Sequence, residues 1–179
     1  DHNHQGMWGW TIDKMLWDSW TKQGIGSWVR AENPDIVLAM LGTTDILQET
    51  DTVTEKIPRT VSELTAAIDT LRKINPTIAV LVFNLYPVNS LSFTAKLERF
   101  NALLPGLVDS LTTKESPVIL VDVWTGFIRT SDLIDIWHAN PTGCKKIARK
   151  WLEQLWPFFD SIPPIALNTI RIDPRPGKG

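Results

Sequence analysis

Apolar residues in this chain follow two rhythms, and the switches between them mark out its elements. Val61, Leu64, Ile68 and Leu71 recur at three- and four-residue intervals, the spacing that gathers side chains on one face of a helix, and the pattern stops before Asn75-Pro76. Ile36 to Leu41, Ile78 to Leu85 and Val118 to Val123 are instead nearly unbroken apolar runs of strand length. Runs of this kind suit parallel strands covered on both faces. Asn33-Pro34-Asp35, Asn75-Pro76 and Pro117 punctuate the chain ahead of them.

Helical spacing fills the intervals. Thr11 stands near the cap of a first helix, in which Ile12, Met15 or Leu16, and Trp20 share a face. Gly24 and Gly26 interrupt that pattern, so a second short helix is predicted over Ile25 to Ala31, with Trp28 and Val29 inward. Leu97, Phe100, Leu104, Leu107, Val108 and Leu111 mark an amphipathic helix that Pro105 kinks. Asn140 as cap and Pro141 at the first helical position open a last helix, with Ile147, Trp151, Leu152, Leu155 and Phe158 on its inner face. Alternating strands and helices call for right-handed crossovers and a parallel sheet between helical layers, an α/β fold. Residues 1–160 read as one domain. Residues 161–179 read as a Pro-rich tail, in which only Ile165 to Ile172 is patterned, as a short edge strand or a loosely attached segment.

Composition narrows the function. At 179 residues and 43 % hydrophobic content the chain has ample material for one buried core. Eighteen basic and twenty acidic side chains give a net charge of -2, with no basic run, so nothing marks a nucleic-acid or membrane partner. A small neutral substrate fits better. The single cysteine, Cys144, excludes an internal disulfide and a cysteine-based zinc site. No metal or cofactor is expected, since Asp1, His2 and His4 sit at a terminus and no glycine-rich phosphate loop follows a strand. Five of the nine tryptophans lie within the first 28 residues, where packing is their first use and stacking on a sugar face a second.

Two stretches carry candidate chemistry. In Asp135-Ile136-Trp137-His138-Ala139-Asn140-Pro141-Thr142-Gly143, a carboxylate three residues before an imidazole can accept from one ring nitrogen and leave the other as a general base. Gly42-Thr43-Thr44-Asp45 ends the first apolar run, at the carboxyl side of a strand, where open α/β sheets bind ligands. Each has an ordinary structural use as well: His138 packing at the helix start, Asn140 as a plain cap, Asp45 serving the turn, Gly143 allowing close approach.

With these two stretches in this order, the chain resembles the SGNH (GDSL-like) hydrolase superfamily. The run His4-Gln5-Gly6-Met7-Trp8-Gly9-Trp10-Thr11-Ile12-Asp13 is most similar to carbohydrate esterase family three, the acetylxylan-esterase type. Asn33-Pro34-Asp35, Phe100-Asn101-Ala102 and Val121-Asp122 fit that pattern too. The resemblance implies a three-layer α/β/α, flavodoxin-like fold, here with its first two strands absent, and a carbohydrate ester as substrate. It implies an extracellular location, although no signal peptide is visible. It places the family's His and Asp on His138 and Asp135 and the oxyanion-hole glycine on Gly9, with Gly6 as the alternative. The family's second donor is an asparagine amide, and Thr44 stands there instead.

The nucleophile is the larger departure. The superfamily carries it in a Gly-Asp-Ser segment, which occurs nowhere in the 179 residues, nor does a Gly-x-Ser-x-Gly elbow. Ser131 is the serine nearest Asp135 in sequence, but it lies upstream in the same loop. Two expectations follow. Either the chain is part of an esterase whose first strands are missing, or it is a catalytically silent carbohydrate-binding or interaction protein of esterase descent. Loss of the first strand would expose a sheet edge, inviting self-association or capping by the tail.

Overall fold

The computed structural model describes residues 4, 6–19, 22–47 and 53–159, with backbone only for residues 53–55. Trp20, the Ile165 to Ile172 segment and the tail lie outside the described residues. The elements in order are α1 (Ile12–Leu16), α2 (Ile25–Glu32), β1 (Ile36–Ala39), α3 (Thr43–Leu47), α4 (Val53–Ile74), β2 (Ala79–Phe83), α5 (Leu91–Asn101), α6 (Leu104–Leu111), β3 (Val118–Val121) and α7 (Pro141–Phe159).

The three strands form one parallel sheet in the order β1-β2-β3, with Ile36 opposite Ala79 and Val80 opposite Val118. All five residues of β2 are buried, because the central strand is covered on both faces. Val80 and Val82 face a core shared with Leu64, Ile68 and Leu71 of α4 and with Leu97, Phe100 and Leu104 of α5 and α6. Leu81 and Phe83 face the other way, joining Val121 and Val123 beneath Ile147, Trp151, Leu155 and Phe158 of α7. Period-two alternation in the sheet thus feeds two helical layers, and the α/β/α expectation holds.

Several expectations are corrected. The first run is not covered on both faces: among the described residues β1 is the edge strand, and Leu38 and Met40 are 45 % and 42 % exposed. A continuous apolar run reports strand character but not whether a neighbour exists. The helix containing Pro105 is two helices, with Pro105 in the first turn of α6. Proline has no N–H to return to the Asn101 carbonyl, so α5 stops there instead of bending through. The polar stretch after Asp45 is more helical than expected: α3 begins at Thr43, and α4 begins at Val53, ahead of its apolar stripe. Leu152 is 53 % exposed, since the inward, half-buried stripe of α7 runs through Ile147, Trp151, Leu155 and Phe158 and leaves the position beside Trp151 facing outward.

Candidate functional site

The segment between β3 and α7 folds back on itself as a short hairpin. Leu133 and Ala139 form an antiparallel bridge, and the Ile134 N–H donates to the His138 carbonyl at 2.8 Å. Asp135 sits in the turn so closed. Its Oδ1 accepts the backbone N–H groups of Trp137 and His138, each at 2.7 Å, and its Oδ2 lies 2.7 Å from His138 Nδ1. The bond to the His138 ring, backed by the two main-chain bonds, holds the Asp135 carboxyl down at about 2. An ionised carboxylate only accepts, so the proton of a neutral His138 belongs on Nδ1 and Nε2 keeps its lone pair. Both side chains are accessible, at 60 % and 49 % exposure for His138 and Asp135.

The loop after β2 supports this turn. Tyr86 Oη donates to the Trp137 carbonyl at 3.0 Å, and the Asn89 N–H donates to the Ile136 carbonyl at 2.9 Å. The Trp137 ring lies against Phe93, with centroids 5.0 Å apart. Behind the turn, Asn140 caps α7 through Oδ1, which accepts from Thr142 and Gly143 at 2.9 and 3.0 Å. Gly143 is buried, and a Cβ there would stand 2.3 Å from the Asp132 carbonyl oxygen, so the expectation of close packing holds.

A second polar region lies beyond β1. Gly42 turns the chain there with φ of +108°, and a Cβ would sit 3.2 Å from the Phe100 ring, so both conformation and space require glycine. Thr43 and Thr44 then help line a cleft of about 180 Å³ with Gly6, Met7, Trp10 and Met40. That volume admits an acyl group but not a whole sugar chain, for which ligand pockets run to about 300 Å³ or more. Asp45, only 4 % exposed, faces inward and accepts the Ile12 N–H at 2.9 Å, which ties the segment before α1 to the end of β1.

The structure therefore brings Asp135 and His138 into contact and brings Thr44 to the same cleft as Gly6 and Trp10. Gly9 is exposed with φ of +67° and does not line that cleft. The dyad follows β3 and is held by residues that follow β2, and the cleft follows β1, so both lie at the carboxyl ends of the strands. Among the described serines none ends a strand, and Ser131 Oγ bonds the Ile128 carbonyl and Asp132 rather than His138. Among the described residues no three His, Cys, Asp or Glu side chains gather as metal ligands, and no helix is long and apolar enough to cross a membrane.

Two polar contacts were not visible in the sequence. Glu63 of α4 is pushed up to about 7 by burial first and then by the charges of Asp45 and Asp13. Asp132, 1 % exposed, pairs with Lys146 of α7 at 2.6 Å. Both pairs join residues distant in sequence, where no local motif can signal them.

Parallel strands, helices on both faces and polar loops at the carboxyl edge define a flavodoxin-like α/β/α protein of the SGNH type. The chain belongs to the GDSL-like lipase/acylhydrolase family, whose family model matches residues 12–151. Among relatives, it is 29 % identical over 166 residues to a multidomain esterase of Ruminococcus flavefaciens, covering 87 % of this chain and 21 % of that one. The chain thus spans about a fifth of that relative's length. Among solved structures, a carbohydrate esterase family 3 protein from Talaromyces cellulolyticus superposes with a TM-score of 0.76 at 28 % identity, over 89 % of this chain and 73 % of that one. A Clostridium thermocellum family 3 carbohydrate esterase gives 0.70 at 25 % identity, over 88 % and 70 %.

Proposed function

We propose that this chain is the dyad-bearing part of a serine ester hydrolase that removes acetyl groups from carbohydrate. The observation that carries the reading is the 2.7 Å contact of His138 Nδ1 with Asp135, which leaves the lone pair on Nε2 of an exposed side chain. In this reading a serine hydroxyl gives its proton to His138 Nε2 and attacks the ester carbonyl. His138 then protonates the departing sugar hydroxyl, and a water repeats the sequence on the acyl-enzyme. Asp135 holds the ring and stabilises the imidazolium. The Thr44 hydroxyl and a main-chain N–H, that of Gly9 or of Gly6, which shares the cleft with Thr44, donate to the oxyanion. Thr44 reaches less far than an asparagine amide and makes this hole weak. Similarity to esterases of carbohydrate family 3 supports the substrate class.

The serine belongs to a Gly-Asp-Ser segment outside these residues, so the 179-residue chain has little or no activity alone. Residues 1–160 form the hydrolase domain and 161–179 a tail, and the free edge of β1 is a surface for self-association. The test compares p-nitrophenyl acetate and acetylated xylan hydrolysis by this chain and by the chain extended with a family Gly-Asp-Ser segment, each with His138→Ala beside it. Turnover is expected only in the extended protein and only with His138. Turnover that survives His138→Ala sinks the dyad, and His138-dependent turnover by the shorter chain sinks the missing nucleophile. A second reading, a silent carbohydrate-binding protein, is favoured by the absence of any strand-ending serine among the described residues. It predicts binding of acetylated xylan oligomers with no turnover in either form.

A further inference from the structure

We propose that Lys146 is the positioning residue of the Asp135–His138 pair, acting through Asp132 to hold the hairpin that carries the pair against the first turns of α7. The proposal rests on the dyad reading above and extends it to residues that touch neither substrate nor imidazole.

The argument starts from what the dyad lacks. With about half or more of each side chain exposed, burial does little to fix the imidazole itself. The orientation of the imidazole comes from the backbone beneath it, which Tyr86 and Asn89 hold at the tip of the turn and a second set of bonds holds at its base. The Asn140 N–H donates to the Asp132 carbonyl at 2.8 Å, and Asn140 Nδ2 donates to the carbonyls of Ser131 and Leu133 at 2.8 and 3.3 Å. Asp132 Oδ2 accepts the Ile128 N–H and the Lys146 ammonium, each at 2.6 Å. Lys146 donates again, to the Gly126 carbonyl at 2.9 Å.

Lys146 therefore grips two points of the loop, and its own position is set by the helix. Gly143 and Lys146 are three apart and share a face of α7. The missing Cβ of Gly143 lets that face approach the Asp132 backbone, and Lys146, one turn on, then meets the carboxylate. Asp132 is buried, so its charge requires a partner there. Without the ammonium, a buried carboxylate in the loop's base would turn toward solvent and take Ile128 and the hairpin with it. The consequence reaches His138 through Leu133, two residues before Asp135, and its bridge to Ala139, one residue after His138.

The test reads the tautomer of His138 by ring ¹⁵N chemical shifts in the 179-residue chain, for wild type, Lys146→Met, Lys146→Arg and Asp132→Asn, with circular dichroism on each. Wild type is expected to hold the proton on Nδ1. Lys146→Met and Asp132→Asn, still folded, are expected to lose that preference and approach the distribution of a free imidazole, and Lys146→Arg to retain it. A folded Lys146→Met that keeps the Nδ1–H form overturns this proposal alone. Loss of fold in both Lys146→Met and Asp132→Asn overturns it too, because the pair would then be a general support. Absence of the Nδ1–H form in wild type overturns the dyad reading and this proposal with it.

Discussion

Asp45 and Ile12 stand far apart in the chain, and the Asp45 carboxylate accepts the Ile12 N–H at 2.9 Å. The bond closes the gap between the loop ending β1, which carries Thr44, and the glycine-containing segment ahead of α1. Its second oxygen, Oδ2, is buried, and the Glu63 carboxyl faces the Asp45 side chain. Asp45→Ala would leave the Ile12 N–H unsatisfied, at a cost of about 1–3 kcal/mol. Asp45→Asn keeps an acceptor of the same shape and should lose clearly less. Urea unfolding of both variants checks this, and equal losses would mean that the carboxylate's charge, not its bond to Ile12, is what matters.

The neighbour Glu63 gives the fold a pH dependence of definite sign. Its carboxyl titrates near 4.5 when unfolded and is pushed up to about 7 in the fold, by burial and then by the charges of Asp45 and Asp13, against the opposing charge of Arg59. The folded state thus holds a proton that the unfolded state releases between these values. Stability should be fully present below about 4.5, fall as pH rises toward 7, and then stay level. Asp45, raised by burial as well, adds a fall of the same sign. Glu63→Gln should flatten the slope of urea midpoint against pH; an unchanged slope in that variant would assign it to other groups.

What the sequence made legible was whatever its physics keeps local. The stripe Leu64, Ile68 and Leu71 could be read because a helix writes burial as periodicity, and β2 because a strand covered twice is apolar at every position. Asp135 and His138 were legible for a related reason: the contact closes within a single turn, and the Asn140 cap follows directly. Contacts between distant segments left no such trace. Asp45 with Ile12 and Asp132 with Lys146 are each two ordinary polar residues until the sheet and α7 bring them together. The exposure of Leu38 could not be read from its own run, since an apolar run is the same at the edge of a sheet as at its centre, and only the missing first strand implied by the resemblance pointed to an open edge.

The bond pattern in the dyad turn makes a prediction that needs no substrate. In Asp135→Asn the side-chain oxygen can still accept from Trp137 and His138, so the turn keeps its form. The amide nitrogen then faces His138 Nδ1 as a donor and turns that atom into an acceptor. The neutral ring should move its proton from Nδ1 to Nε2, which removes the lone pair a general base requires. Ring ¹⁵N shifts of His138 in the two proteins check it, and the same tautomer in both would place the controlling partner elsewhere.

Gly143 offers a test of how tightly α7 meets the hairpin. A methyl group there would fall 2.3 Å from the Asp132 carbonyl, with the Ala139 Cβ and the Phe127 ring each 3.1 Å away. Backbone on one side and a buried ring on another leave little room to give. Although alanine favours a helix over glycine by about 1 kcal/mol, Gly143→Ala should destabilise by about 1–3 kcal/mol through overpacking. A melting temperature equal to or above that of wild type would show that the loop can retreat without cost.

The edge of β1 supplies the last prediction. Leu38 and Met40 stand 45 % and 42 % exposed beside a row of main-chain groups with no strand on that side among the described residues, a surface that pairs readily with another edge. Self-association through β1 should therefore appear in sedimentation as a mass that rises with concentration. Leu38→Lys puts a charge on the exposed face of the edge strand, the device by which edges resist pairing, and should shift the chain toward monomer. Because Leu38 already faces outward, the same change should alter stability by no more than about 0.5 kcal/mol, the usual range at such positions. A chain that is monomeric at every concentration, with or without the lysine, would sink the association. A chain that associates equally in both forms would move the contact to another surface.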